Sequence, residues 1–159
     1  MNVKEVSEYI CSRYKKEYKN HIDEMKLHKL LYFSQRESLI MSAKALFDDE
    51  FSGWCYGPVM VNIRNDYKNG TISENINYDS DKYKEIKPIM DSVFQKYAEK
   101  SSTSLSRISH CEYSWKKSRT GLNERENGNK KIKLNDIAVD AERVRIRRIL
   151  LEQINNREN

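Results

Sequence analysis

The chain has 159 residues and a formal net charge of +5, with 38% hydrophobic and 33% charged residues. This length suits one domain that can bury a core without disulfides or metals. Five glycines and two prolines are too few for an all-β fold rich in tight turns. No apolar run is long enough for a membrane helix, and the N-terminus lacks a signal-peptide pattern. The three cysteines are far apart and form no CxxC pair, which favours reduced thiols in a cytoplasmic protein. These features predict a compact, mainly α, single-domain protein.

Two apolar patterns predict the first helices. Apolar side chains recur at three- and four-residue spacing near the N-terminus, which predicts a helix over residues 3–18. Asp23 can accept a hydrogen bond from a free N–H group of a first helical turn, so a second helix is expected over about 24–43. Residues 27–33 make this second helix apolar on nearly all sides, which is typical of a helix at the centre of a fold.

The middle of the chain predicts a small β-hairpin or short antiparallel sheet. Residues 51–56 alternate as in a strand, and the acidic run 48–50 is expected to be a solvated hairpin turn because it lacks the spaced ligands of a calcium loop. Pro58 is expected at the first position of the next helix, where its missing N–H costs nothing. Val59 would lie on the inner face of that helix, and Gly70 would end it.

The same rules place the later elements in chain order. They predict a helix that begins near Pro88, short helices over 105–110 and 115–119, a mobile loop over 120–129, a short strand over 132–134 and a last helix over roughly 136–154. Asn135 or Asp136 can cap the last helix. Its apolar side chains are Ile137, Val144, Ile149 and Ile154.

Three segments resemble motifs of the Panacea (SocA-like antitoxin) family. Residues 26–35, KLHKLLYFSQ, resemble the family's K-L-x-K-L-L-Y-F-x-Q helix; residues 53–59, GWCYGPV, resemble its A-W-x-Y-G-P-V element; and residues 105–115 resemble its L-S-x-x-T-H…W element. The matches keep the expected order over about residues 25–137, although Gly53 replaces the usual Ala and Ser109 the usual Thr. The resemblance implies structural roles for Leu27, Lys29, Leu30, Leu31, Tyr32, Phe33, Gln35, Trp54, Tyr56, Gly57, Pro58, Leu105, Ser106, His110 and Trp115.

The resemblance also implies a function by binding and not by catalysis. Residues 1–137 would form the Panacea-like domain with its N-terminal helix, and residues 138–159 an Arg-rich helix extension packed on the same domain. Members of the family act as antitoxins against unrelated toxins, so a cognate toxin is the expected protein partner. The alternative is a phage or prophage accessory protein, or a proteolytic adaptor, that binds a host factor. No cofactor and no catalytic residue is implied, and the oligomeric state stays open.

The positive charge is concentrated in one stretch, residues 115–133, called the basic segment below. It holds seven bases and two acids, a net +5 that equals the charge of the whole chain. Such a patch can attract an acidic protein surface. Nucleic acid is a weaker alternative, because the sequence shows no recognisable recognition helix. The expected contact residues are Lys116, Lys117, Arg119, Lys130, Lys131 and Lys133.

Other candidate site residues favour structural interpretations. His110, Cys111 and Glu112 are ligand or nucleophile types, but no second His/Cys pair supports a metal site, so His110 is expected to hydrogen-bond at a helix end near Trp115. Trp54, Tyr56 and Trp115 can be partner anchors or core residues, and the motif positions of Trp54 and Trp115 favour the core for these two. No nucleotide or nucleophile motif occurs. The arginines of the last helix spread around it, as a solvated face or as phosphate contacts. They are Arg143, Arg145, Arg147 and Arg148.

Overall fold

The computed structural model describes residues 1–157 and confirms the mainly α class with a small antiparallel sheet. The helices are α1 (Val3–Tyr18), α2 (Glu24–Ser42), α3 (Val61–Lys68), α4 (Lys87–Val93), α5 (Ser102–His110), α6 (Tyr113–Ser118) and α7 (Leu134–Arg157). The strands are β1 (Phe51–Trp54), β2 (Gly57–Val59) and β3 (Lys131–Ile132). A 3₁₀ turn at Asp81–Tyr83 precedes α4, and a π-helical turn at Phe94–Ala98 follows it. None of the helices within these residues is long and apolar enough to cross a membrane.

Helix α2 is the centre of the fold, as its apolar pattern predicts. Leu27, Leu30, Leu31, Tyr32 and Phe33 are all 0% exposed. Helices α1, α4, α5 and α7 pack around it. Its predicted cap is confirmed, because the Asp23 carboxylate accepts a hydrogen bond of 2.8 Å from the Lys26 N–H. A helix that is buried on every side has no solvated face, which explains why its pattern is nearly continuous.

The sheet has the strand order β2-β1-β3 and is antiparallel throughout. The predicted hairpin is present, but its turn is Cys55–Tyr56, and the acidic run 48–50 lies before β1. The expectation that the acidic run forms the hairpin turn is therefore wrong. Gly57 explains the actual position, since its φ of +112° lies in a region that only glycine adopts without strain.

Pro58 lies in β2 and not at the start of a helix, so that prediction is wrong. Helix α3 begins three residues later, at Val61. Pro58 pairs with Gly53 across the sheet, and β2 is an edge strand, where a missing N–H is tolerated. Val59 is consequently buried as a strand residue rather than on a helix face. Pro88, in contrast, lies in the first turn of α4, as predicted.

A buried polar network ties α7 to the rest of the fold. Helix α7 begins at Leu134, so the predicted capping role of Asn135 or Asp136 is wrong. Asp140 instead caps α6, because its carboxylate accepts hydrogen bonds of 2.8 Å from the N–H groups of Tyr113 and Ser114. This contact fixes the first half of α7 against α6 and α2.

The same network continues into α2 through two buried side chains. The Tyr32 hydroxyl lies 2.8 Å from the Ser114 hydroxyl, and Arg36 forms an ion pair with Glu112. Burial raises the pKa of Glu112, an effect that the neighbouring Arg36 guanidinium opposes. Paired groups of this kind are costly to separate but tolerable together in a core.

Candidate partner-binding surface

The residues of the three family-like motifs meet around the β1–β2 hairpin. Lys29 projects from α2, is only 1% exposed, and its ammonium donates a hydrogen bond of 3.1 Å to the Pro58 carbonyl. Burial lowers the pKa of Lys29 to about 7. Because burying an ammonium group is costly unless it is hydrogen-bonded, the contact shows that this side chain is used to hold the hairpin against the central helix.

Helix α5 closes on the other side of the hairpin turn. The Ser106 hydroxyl donates a hydrogen bond of 2.7 Å to the Tyr56 carbonyl. A Cβ atom on Gly57 would lie 2.4 Å from the Ser109 hydroxyl and 2.5 Å from Cε of Lys29. The turn is thus clamped between α2 and α5, and only glycine fits at its closest point.

Helix α6 supports the first strand of the hairpin. The Trp115 indole N–H donates a hydrogen bond of 2.9 Å to the Trp54 carbonyl, and the His110 ring stacks on Trp115 with centroids 4.1 Å apart. Burial lowers the pKa of His110, which favours a neutral ring beside the indole. Trp115 packs against the core, while Trp54 is half-buried at its edge, under the guanidinium of Arg64.

Tyr56, at the tip of the hairpin, is 65% exposed. Two clefts flank it, one of about 370 Å³ bordered by His28 and Arg64, the other of about 810 Å³ bordered by Leu122 and Arg125. Aromatic and arginine side chains are the residues that most often dominate protein–protein interfaces. The motifs therefore build a rigid support, and they present an aromatic side chain between two clefts.

The fold brings the two ends of the basic segment together, since α6 packs against β3. Five of the six predicted contact residues are exposed, namely Lys116, Lys117, Lys130, Lys131 and Lys133. Lys117 forms an ion pair of 2.8 Å with Asp136. The other four have no ion-pair partner within residues 1–157. These four, Lys116, Lys130, Lys131 and Lys133, are called the lysine surface below.

Arg119 differs from the other five, because it is only 8% exposed. Its guanidinium donates hydrogen bonds of 2.8 Å to the Gly53 carbonyl and 2.7 Å to the Asn123 carbonyl. The Asn127 side chain accepts a further one from the Cys55 N–H. The loop over residues 120–129 is consequently held to β1 by polar bonds, although it lacks the apolar residues that would attach it to the core.

The ligand and nucleophile types do not converge. Cys111 is exposed, Glu112 faces Arg36, and His110 stacks on Trp115. Among the described residues, no group of three or more His, Cys, Asp or Glu side chains is placed to hold a metal ion.

The arginines of α7 have different surroundings. Arg148 makes a bidentate ion pair with Glu37 of α2 at 2.8 and 2.9 Å, and Arg145 pairs with Glu142 on its own helix. Arg143 lies over the Tyr113 ring, and Arg147 is exposed. Of the four apolar side chains that the sequence assigns to this helix, Ile149 and Ile154 are exposed.

Comparison with known proteins gives one match. The family model described as antitoxin SocA-like, Panacea domain, matches residues 27–116. This range begins within α2, contains the hairpin and α5, and ends within α6. No curated protein and no solved structure matches the chain significantly.

Proposed function

Because this chain belongs to the antitoxin SocA-like, Panacea domain family, we propose that it is a non-catalytic antitoxin that binds and neutralises a protein toxin. The family is antitoxin-like and generally non-catalytic, which supports a function by binding and a protein partner. The family model covers the residues that clamp the β1–β2 hairpin. The part of the fold that is shared with the family therefore holds this hairpin, and the surface that it forms, in place.

The observation that carries this proposal is the lysine surface beside the clamped hairpin. Its four exposed lysines have no ion-pair partner within residues 1–157, and a local concentration of positive charge attracts an acidic partner. They lie on α6 and around β3, which are fixed by the core and not on free chain. A rigid surface of this kind needs little ordering on binding, so more of the contact energy appears as affinity. An acidic toxin surface is the complementary partner.

The test is co-expression with the product of the reading frame encoded beside this one. We expect that product to stop bacterial growth when expressed alone, and this chain to restore growth while the two proteins co-purify. A copy of the gene with an early stop codon is the control. Growth arrest that persists with the folded chain present, or a neighbour that is not toxic, contradicts the proposal.

Two alternatives give outcomes that differ from those of direct occlusion of the toxin. If the chain is a proteolytic adaptor, the toxin level falls when the chain is present and recovers in a protease-deficient host. The lysines without ion-pair partners also favour nucleic-acid binding. In that case the affinity for duplex DNA falls steeply as the salt concentration rises. A few phosphate contacts lower it by roughly one order of magnitude or more between 50 and 200 mM salt. Direct occlusion predicts an unchanged toxin level and a stable complex.

A further inference from the structure

A cleft between α2, the β1–β2 hairpin and α3 is lined by two buried side chains whose donor groups are not all used. The cleft has a volume of about 370 Å³, and His28 and Lys29 of α2 line it. Both residues are only 1% exposed, whereas Tyr56, which also lines the cleft, is 65% exposed. Buried polar groups in proteins normally have hydrogen-bond partners, so a buried donor without one calls for an explanation.

The His28 ring has one nitrogen that is hydrogen-bonded and one that is not. Its Nδ1 accepts a hydrogen bond of 3.3 Å from the Met60 N–H, so the hydrogen of the neutral ring is on Nε2. Burial, followed by the positive charge of Lys29, lowers the pKa of His28 to about 3, which keeps the ring neutral. Nε2 is buried and has no hydrogen-bond partner within residues 1–157. The Glu24 carboxylate, 3.8 Å away, is beyond hydrogen-bond distance.

The Lys29 ammonium is the second buried donor. It has three N–H groups, and the hydrogen bond to the Pro58 carbonyl uses one of them. Among the described residues, no carboxylate lies within ion-pair distance of this ammonium. A buried ammonium without a counter-ion is costly, so an anion that binds beside it is stabilised.

The charges around the cleft indicate a ligand with one negative charge. Glu24 is the one acid among the described residues that line the cleft, and Arg64 holds its carboxylate in an ion pair of 2.9 Å. These two charges cancel, so the Lys29 ammonium is the charge that a ligand can balance. A carboxylate has a single charge and two oxygens, which suits one ammonium and one neutral N–H group. A phosphate dianion would bring a second charge that no remaining cation of the cleft balances.

The other walls of the cleft suit the carbon atoms that carry a carboxylate. Trp54, Met25 and Val59 line it, and the Arg64 guanidinium lies 4.8 Å from the centre of the Trp54 ring. Ligand sites in proteins are mostly apolar, contain a few placed polar groups and have volumes of about 300–1,000 Å³. This cleft has that composition, and its volume is at the lower end of the range, which favours a short acid.

We propose that this cleft is a binding site for a carboxylate group, which accepts hydrogen bonds from the His28 Nε2–H and the Lys29 ammonium and whose carbon atoms pack on Trp54. The carboxylate belongs to a small organic acid or to an Asp or Glu side chain of the protein partner, since both have the same chemistry at the site. The inference does not depend on the proposed function, because a carboxylate binds here whether or not the chain is an antitoxin.

The experiment titrates the full chain, labelled with nitrogen-15, with sodium acetate at pH 6 and follows the ring nitrogens of its three histidines by NMR. At this pH the Lys29 ammonium is charged and the His28 ring is neutral, since their pKa values are about 7 and about 3. We expect the His28 Nε2 signal to move and to saturate with a dissociation constant on the order of millimolar, because so small a ligand makes few contacts. His21 and His110 lie outside this cleft and should not respond. Sodium chloride at the same concentrations should leave the His28 signal in place.

Two variants test the ammonium as a donor. Lys29→Met removes it, and Lys26→Met is the matched control, because Lys26 is another buried lysine of α2 but does not line the cleft. We expect the first to weaken acetate binding at least tenfold and the second to leave it unchanged, since a hydrogen bond to a charged group is lost only in the first. Circular dichroism checks that each variant is folded. If acetate does not move the His28 signal of the parent, or if chloride moves it equally, the inference is overturned whether or not the variants fold.

Competition identifies the source of the carboxylate. Acetate at a saturating concentration is added to the full chain together with the tagged product of the neighbouring reading frame, and chloride at the same concentration is the control. If acetate weakens their binding about tenfold relative to chloride, the carboxylate belongs to the protein partner. If acetate occupies the site and the binding is unchanged, the carboxylate belongs to a small organic acid. If the product does not bind the chain at all, the proposed function fails, and the acetate titration still decides this inference.

Discussion

Lys29 makes the stability of this protein depend on pH in a defined direction. Burial lowers its pKa to about 7 from the ordinary 10.5. Between those values the unfolded chain binds more protons than the folded one, so the free energy of unfolding rises with pH. We expect a gain of about 2 kcal/mol between pH 7 and pH 9 from this group, measured by urea unfolding. Burial raises the pKa of Cys11 to about 12 from 9, which lowers stability above pH 9 and sets the upper limit of the test.

The control is Lys29→Met, which keeps most of the length of the side chain and removes its titration. The gain in stability between pH 7 and pH 9 should then fall to less than about 0.5 kcal/mol. If the gain is the same in this variant as in the parent, other groups titrate between pH 7 and pH 9, and the Lys29 ammonium does not contribute to the gain.

Gly57 should be the least replaceable glycine of the hairpin. Its φ is +112°, and an added Cβ would collide with Ser109 and Lys29. We expect Gly57→Ala to cost about 3 kcal/mol, from backbone strain and crowding together. Gly70 has a φ of +66° and open space around it, so Gly70→Ala should cost only about 1 kcal/mol. Equal losses in thermal unfolding of the two variants would contradict the close packing at the clamp.

At the level of single residues, the sequence indicates the type of each side chain and the motif to which it belongs, but not which residues surround it in the fold. Lys29 stands out as a motif residue, yet its burial follows only from the position of β2, which is distant in the chain. Arg119 resembles its basic neighbours in sequence, whereas the structure uses its planar guanidinium to hold the loop over residues 120–129. Tyr56 is open to either interpretation until the clamp around it is known. In each case the missing information is a tertiary contact.

At the scale of elements, α2 carries the largest share of the core. We expect Leu30→Ala or Leu31→Ala to lower the free energy of unfolding by about 2–5 kcal/mol, because each leaves a cavity in a fully buried site. Met41→Ala on the same helix is the control and should change stability by less than about 0.5 kcal/mol, since Met41 is half exposed. If both leucine variants unfold at the same temperature as the Met41→Ala control, the central position of α2 is contradicted.

Elements with strong local signals are predictable, and those set by distant pairing are not. Helices α1 and α2 have clear periodicity and caps, and both lie where the sequence predicts them. The hairpin turn and Pro58 were misplaced because strand pairing with β1 outweighs the local preference of proline for a helix start. The last helix begins two residues earlier than predicted, so Asp136 lies in its first turn and not at its cap, and Asp140 caps α6 instead.

At the scale of the whole molecule, the sequence locates the charge, and the fold determines how much of it is free. The net +5 of the basic segment is visible in the sequence, but Arg119 is enclosed and Lys117 is paired. Four exposed lysines remain, on α6 and around β3, and these two elements pack together. The exposure of Ile149, Leu150, Leu151 and Ile154 on α7 could not be predicted, because an apolar helical segment looks the same in sequence whether or not the rest of its own chain covers it.

The lysine surface should therefore control the rate at which the toxin is captured. Replacing Lys116, Lys130, Lys131 and Lys133 with Glu removes two units of charge at each position without disturbing the Lys117–Asp136 pair. Stability should change by about 0.5 kcal/mol or less per site, because exposed substitutions seldom cost more. The association rate with the toxin should fall about 10- to 100-fold at low salt and become nearly independent of salt, since attraction between opposite charges is lost. Lys44, Lys68, Lys84 and Lys100 are exposed lysines outside the surface, and their replacement with Glu gives a control of the same charge. Stopped-flow association at 50 and 300 mM salt measures both. If the control slows association as much as the surface variant, net charge alone attracts the toxin, and the position of the lysines is not what matters.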